Sequence, residues 1–171
     1  AHSEVGEAEE LELWVELAEI RGEMLLDTEA AIEAWQKVIS IDPEHSRALD
    51  NLEELYLQEA RWEEAAQVLE IQADRLDDEL DRIDLLGRIA DIWEHKLENP
   101  DRASVFYEQI LEIDPTDMQA SHSLEDIYRS QATPEAYQAL VGLYLDRAEV
   151  LDDKPFDRME ALRSASRVFE Q

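Results

Sequence analysis

Two stretches decide how this chain folds: AAIEAWQKVISIDP at 30–43 and RASVFYEQILEIDP at 102–115. Each places a small alanine, then an aromatic four residues on, then an aliphatic, then Asp-Pro, at one fixed offset. Ala31, Trp35, Val38 and Pro43 in the first match Ala103, Tyr107, Ile110 and Pro115 in the second. The spacing of the apolar positions is that of one face of an α-helix. Asp-Pro then stops the helix, because proline disfavours helical backbone in the residue before it.

The offset extends well beyond these stretches. Sliding the chain by 72 residues lays 13–56 on 85–128 without a gap, with identities that include Leu13/Leu85, Ala18/Ala90, Ile20/Ile92, Ala48/Ala120, Leu52/Leu124 and Tyr56/Tyr128. Shared helical periodicity alone would not keep Ile-Asp-Pro in register, so the chain contains a repeated unit of that length. Each unit divides again into helical runs separated by breakers. Asp42-Pro43 and Asp114-Pro115 end one helix and lead into the next, and Asn99-Pro100 and Thr133-Pro134 read as an N-cap followed by proline at the first helical position. Nine helices are expected, near 6–25, 28–40, 44–58, 61–77, 80–97, 100–112, 116–130, 134–151 and 156–170.

Composition agrees. Only four glycines and five prolines occur in 171 residues, too few for the turns of an all-β fold. There is no cysteine, which excludes disulfides and thiolate metal sites. No apolar run approaches the ~20 residues of a membrane span, so membrane insertion is not expected. The N-terminal Ala1-His2-Ser3-Glu4 lacks the basic and apolar regions of a signal peptide, although a signal removed upstream stays open; a cytoplasmic location is slightly favoured. Net charge is −29, and residues 1–80 carry 24 acidic against 5 basic side chains. Such a surface repels nucleic acid and anionic lipid and favours a basic protein or peptide. The same charge also serves solubility alone, and the sequence does not separate the two.

The 30–43 and 102–115 stretches resemble the second helix of a tetratricopeptide repeat (TPR). ALDNLEELYLQEARWEEAAQVL at 48–69 is similar to a nearly complete repeat through Leu49, Leu52, Tyr56, Ala65 and Leu69, and ASHSLEDIYRS at 120–130 begins another. The resemblance implies an all-α solenoid of about four and a half antiparallel helical hairpins wound as a right-handed superhelix. It forms one domain over 1–171, with repeats near 10–43, 44–79, 80–115 and 116–152 and a partial one at 153–171. Departures are visible. The small residue of the first helix is Ala18 and Ala90 in repeats one and three but Glu53 and Glu125 in two and four, and the turns before Ala31 and Ala103 carry one extra residue. Two linker types alternate, as in large bacterial TPR arrays whose true unit is a pair of repeats. RMEALRSASRVF at 158–169 aligns with RIDLLGRIADIW at 82–93, so a fifth repeat is begun. It reads either as a C-terminal cap, with Leu162, Val168 and Phe169 packed back on the eighth helix, or as the edge of a fragment of a longer array, which is favoured.

The packing roles follow from the repeat. Alanines let the helices approach, while Trp35, Trp62, Trp93, Tyr56, Tyr107 and Tyr128 fill the space between layers. Chemistry is not apparent. His2, His45, His95 and His122 stand at no metal-binding spacing, no phosphate loop or nucleophile elbow occurs, and the paired carboxylates look like solvated helix faces. Neither a cofactor nor a catalytic role is expected. The resemblance instead implies a concave ligand surface lined by the first helix of each repeat. Mapped by alignment, it carries Glu12, Val15 and Glu19 in repeat one and Arg47, Asp50, Glu54 and Leu57 in repeat two. Repeat three gives Asp84, Gly87, Asp91 and Glu94, and repeat four gives Gln119, His122, Asp126 and Arg129. The Lys, Asn and Arg set with which family members clamp chaperone carboxyl termini is missing. The expected function is a protein-interaction scaffold for a basic or amphipathic segment, with a structural spacer or self-association element as the alternative.

Overall fold

The computed structural model describes residues 2–168, and among them the regular structure is entirely helical. The helices are α1 (His2–Glu19), α2 (Thr28–Ile41), α3 (Ser46–Gln58), α4 (Trp62–Asp74), α5 (Glu79–Asp91), α6 (Pro100–Ile113), α7 (Met118–Gln131), α8 (Pro134–Val150) and α9 (Pro155–Val168). They fall into two compact units, α1 to α4 and α5 to α9, divided after Arg75. Within each unit every helix packs on the next in sequence. The result is an all-α array of helical hairpins, each made of a first helix (α1, α3, α5, α7) and a second (α2, α4, α6, α8), with α9 following.

The backbone repeats at the 72-residue offset more faithfully than the side chains do. α1 and α5 each end in a single π-helical turn, at Ile20–Met24 and Ile92–Lys96. There the Leu25 amide donates to the Ile20 carbonyl (3.1 Å) and the Leu97 amide to that of Ile92 (3.0 Å). A π turn holds one residue more than an α turn. The extra residue that sequence places in the turns before Ala31 and Ala103 is therefore taken up inside the preceding helix. Beyond it, Leu26 (φ 52°) and Glu98 (φ 50°) adopt the left-handed conformation that closes the helix. Asp27 and Asn99 then cap α2 and α6 by accepting from the Ala30 amide (3.2 Å) and the Arg102 amide (3.1 Å).

The next turn repeats in the same way. Asp42 Oδ1 accepts from the Glu44 amide and Asp114 Oδ1 from that of Thr116, which holds the Asp-Pro corner. α3 and α7 are capped by His45, whose Nδ1 accepts from the Ala48 amide (3.1 Å), and by Asp117, which accepts from Ala120 (2.7 Å). Thus His45, one of the four histidines searched for chemistry, is an N-cap. α3 and α7 are followed by left-handed Ala60 (φ 55°) and Ala132 (φ 49°). At the first of these the Arg61 amide closes back on the Tyr56 carbonyl at 2.8 Å.

The core sits where the alanine and aromatic pattern puts it. In the first unit Ala18, Ala31, Ala48, Ala65, Trp35, Val38, Leu49, Leu52 and Tyr56 are buried. In the second Ala90, Ala103, Ala120, Ala136, Trp93, Tyr107, Ile110, Leu124 and Tyr128 are buried. α1 and α2 approach closely: a Cβ added at Gly22 would lie 3.6 Å from that of Ala31. Two expectations are corrected. Trp62, the first residue of α4, is only half-buried. Glu53 and Glu125, which stand where repeats one and three have buried alanine, are half-buried, and the Glu125 carboxylate meets Arg129 at 2.9 Å. Leu162 is exposed, whereas Val168 is buried and Phe169 lies outside the described residues.

These placements set magnitudes. Trp35→Ala should lower unfolding free energy by about 3–5 kcal/mol through the cavity it leaves, and Ala103→Leu by about 1–3 kcal/mol through overpacking, both read from urea melts. Unchanged midpoints would contradict the assigned register. Ala60→Gly and Ala132→Gly should each raise stability by roughly 1 kcal/mol, since glycine adopts the left-handed conformation without a Cβ penalty. A loss of thermal stability in both would show that the left-handed closures are not formed.

Candidate partner-binding faces

The residues mapped to a ligand surface separate into those spent on the protein itself and those turned outward. On the first unit, Val15 and Leu57 are half-buried and pack against the core. Glu19 and Arg47 form an ion pair that joins α1 to α3. Asp50 Oδ1 accepts from Gln72 Nε2 of α4 (3.0 Å), and Glu54 Oε1 accepts from Gln58 one turn on (3.0 Å). Glu12, Asp50 and Glu54 are all exposed. The mapped cation of this unit, Arg47, is engaged by Glu19.

The second unit shows the same division. Glu94 is half-buried and accepts the hydroxyl of buried Tyr107 at 2.8 Å. Arg129 pairs with Glu125 and donates to the hydroxyl of Tyr144 at 3.1 Å, which ties α7 to α8. Asp91 is paired with His95 of the following turn at 3.2 Å, and both are exposed. Asp84, Gln119, His122 and Asp126 are exposed, and Gly87 has open space where a side chain would stand.

α9 adds residues that the mapping did not include. A groove of about 250 Å³ lies between α7 and α9 with α8 behind it, lined by His122, Glu125, Tyr144, Arg147, Asp157 and Glu160. The signal for it was available. In the alignment of 158–169 with 82–93, Glu160 stands at the position of Asp84, which had been placed on the face. Among the described residues no group of three or more His, Asp or Glu side chains is arranged to hold a metal ion, and no helix is long and apolar enough to cross a membrane.

Burial raises the Tyr107 hydroxyl pKa from its usual value near 10 to about 12, with the Glu94 carboxylate adding to the rise and a Ser123 hydrogen bond opposing it. Burial and then Glu108 raise that of Tyr128 in the same direction. A tyrosine that stays neutral in the folded protein stabilises it fully below the unfolded pKa near 10. That contribution is lost as pH rises toward 12, because the unfolded chain then gives up the proton first. Stability from chemical melts should therefore fall between about pH 10 and 12, and Tyr107→Phe should make the fall shallower. An equal slope in the variant would remove Tyr107 as a source.

No protein-family model matches the chain, and no curated protein matches it. Among solved structures it is similar to MamA, at 15% identity over 90% of this chain and 95% of that one, with a TM-score of 0.44. It is similar also to YrrB, described as a TPR protein with an unusual peptide-binding site, at 15% identity over 91% of this chain and 84% of that one, with a TM-score of 0.43. The chain's own helices and their register make it an all-α array of antiparallel helical hairpins.

Proposed function

We propose that this chain is a protein-interaction scaffold whose ligand is a basic or amphipathic segment of a partner protein, bound along the outward faces of the first helices. The observation that supports the reading is the asymmetry of charge on those faces. Glu12, Asp50 and Glu54 of the first unit and Asp84, Asp91 and Asp126 of the second are exposed carboxylates, whereas Arg47 and Arg129 are held by Glu19 and Glu125. The cations therefore oppose the field very little, and a positively charged segment is attracted before it makes contact. Repeated hairpins suit such a ligand because they present similar surfaces at regular intervals. No residue of these faces is assigned a catalytic role.

The test is fluorescence anisotropy with a labelled helical peptide of alternating leucine and lysine turns. Asp50→Lys, Glu54→Lys and Asp91→Lys combined should weaken binding by about a hundredfold or more, since like charges then meet across the contact. Raising salt from about 50 to 500 mM should weaken the wild type by at least tenfold. Affinity that survives the triple reversal would dismiss the acidic faces as the site.

A further inference from the structure

A second cavity in the α5–α9 unit lies on the other side of α7. It has a volume of about 370 Å³, is walled by α6 and α8, and is floored by Ser121, Leu124 and Tyr128 of α7. Those three residues are on the buried side of α7, whereas Gln119, His122, Asp126 and Arg129 are exposed. The cavity therefore lies apart from the mapped positions on α7, and shares only Arg147 with the groove between α7 and α9. Its lining is divided by chemistry. Leu111, Pro115, Leu124 and Leu143 give an apolar wall, and Glu108, Glu112 and Asp146 give three carboxylates. The cation among the lining residues, Arg147, has its guanidinium turned to the Met118 sulfur at 3.2 Å. Glu108 accepts the Tyr128 hydroxyl. Among the described residues Glu112 and Asp146 meet no protein partner.

The first unit does not repeat this arrangement. At the 72-residue offset Glu108 and Glu112 correspond to Gln36 and Ser40. The second unit thus has more negative charge on α6. A Cβ built at Gly142 meets nothing within 4 Å, so the space is open at that point.

We propose that this cavity receives one lysine or arginine side chain of a partner protein. The aliphatic stem of such a side chain lies along apolar surface while its charged end stays with polar groups. Here the stem meets Leu111 and Leu143 and the cation meets Glu112 and Asp146. An uncharged anchor such as leucine would bury those carboxylates without a counter-charge, which is costly. A second copy of this chain is disfavoured by its own charge of −29. The occupant is therefore a cationic side chain displayed by a different protein.

The test follows amide shifts in the 15N-labelled full chain titrated with acetyl-Leu-Lys-Leu-amide. Shifts should gather at 108–112 and 139–147. They should weaken about tenfold or more with acetyl-Leu-Gln-Leu-amide, with the charge-neutralised Glu112→Gln/Asp146→Asn protein, and with Gly142→Leu, which fills the cavity from a helix interior that accepts leucine well. Equal binding of the glutamine peptide, or shifts that persist in Gly142→Leu, would overturn the proposal, as would no binding of the lysine peptide at these residues. Shifts at Gln119, His122 and Asp126 alone would overturn it while favouring the outward faces. Butylamine binding as tightly as the peptide would also overturn it, by making the occupant a free amine.

Discussion

The close approach of helices at alanine is the constraint on which the rest of this structure depends. Ala18 and Ala31, and Ala90 and Ala103, are fully buried where the first and second helices of a hairpin meet. A side chain of any size there would push the helices apart, so the phase of each helix is fixed on both sides of the turn. Between Ala18 and Ala31, and again between Ala90 and Ala103, the chain has one residue more than the turn can take. Since neither helix can rotate, the residue must be absorbed locally, and the π turns at Ile20–Met24 and Ile92–Lys96 absorb it. The left-handed residues and the N-caps that follow are then placed by that turn, at the same offset in both units.

Once the skeleton is fixed, side chains that hold it can be exchanged in pairs. In the first unit Arg21 donates to the Ala30 carbonyl across the α1–α2 turn at 3.0 Å. Seventy-two residues on, position 93 is tryptophan and the arginine has moved to position 102. Its guanidinium lies 4.9 Å from the Trp93 ring. The same gap is bridged by a hydrogen bond in one unit and a cation–π contact in the other. The second-helix to first-helix contact behaves likewise. Gln36 donates to the Tyr56 hydroxyl at 2.8 Å, while at the matching positions Tyr128 donates to Glu108. One exchange reverses the donor and adds a carboxylate, and that carboxylate is part of the cavity between α6 and α8.

This explains which features could be read from the sequence. Hairpins, core and the 72-residue period were legible because burial demands alanine and aromatics at fixed places, and Asp-Pro, Asn-Pro and Thr-Pro mark helix ends chemically. The π turns were visible only as an unexplained extra residue, because no residue type is required to form one. The left-handed closures were invisible for a plainer reason: Leu26, Ala60, Glu98 and Ala132 stand where glycine would have announced them. The cap at His45 was missed because histidine is an uncommon N-cap, although its repeat partner Asp117 is a favoured one. The candidate faces were legible as a list of positions. Which members were already committed was not, since the Glu19–Arg47 and Arg129–Tyr144 contacts join residues far apart in sequence.

The committed cations also settle how the large negative charge acts. Arg47, Arg61, Arg129 and Arg158 each meet a carboxylate, namely Glu19, Glu64, Glu125 and Asp152. Partly exposed pairs of this kind stabilise a fold by at most about 1 kcal/mol. Each pair neutralises one charge of either sign, so the net charge of −29 is left unchanged. The field of that net charge is screened by salt over roughly 10 Å. A net charge of this kind does not distinguish one unit from the other, whereas the side chains at matching positions do. The backbone is held in common by alanine packing, and the units differ through side-chain exchanges such as Gln36 against Glu108. An array built this way can vary the side chains of each unit without disturbing the helices that carry them.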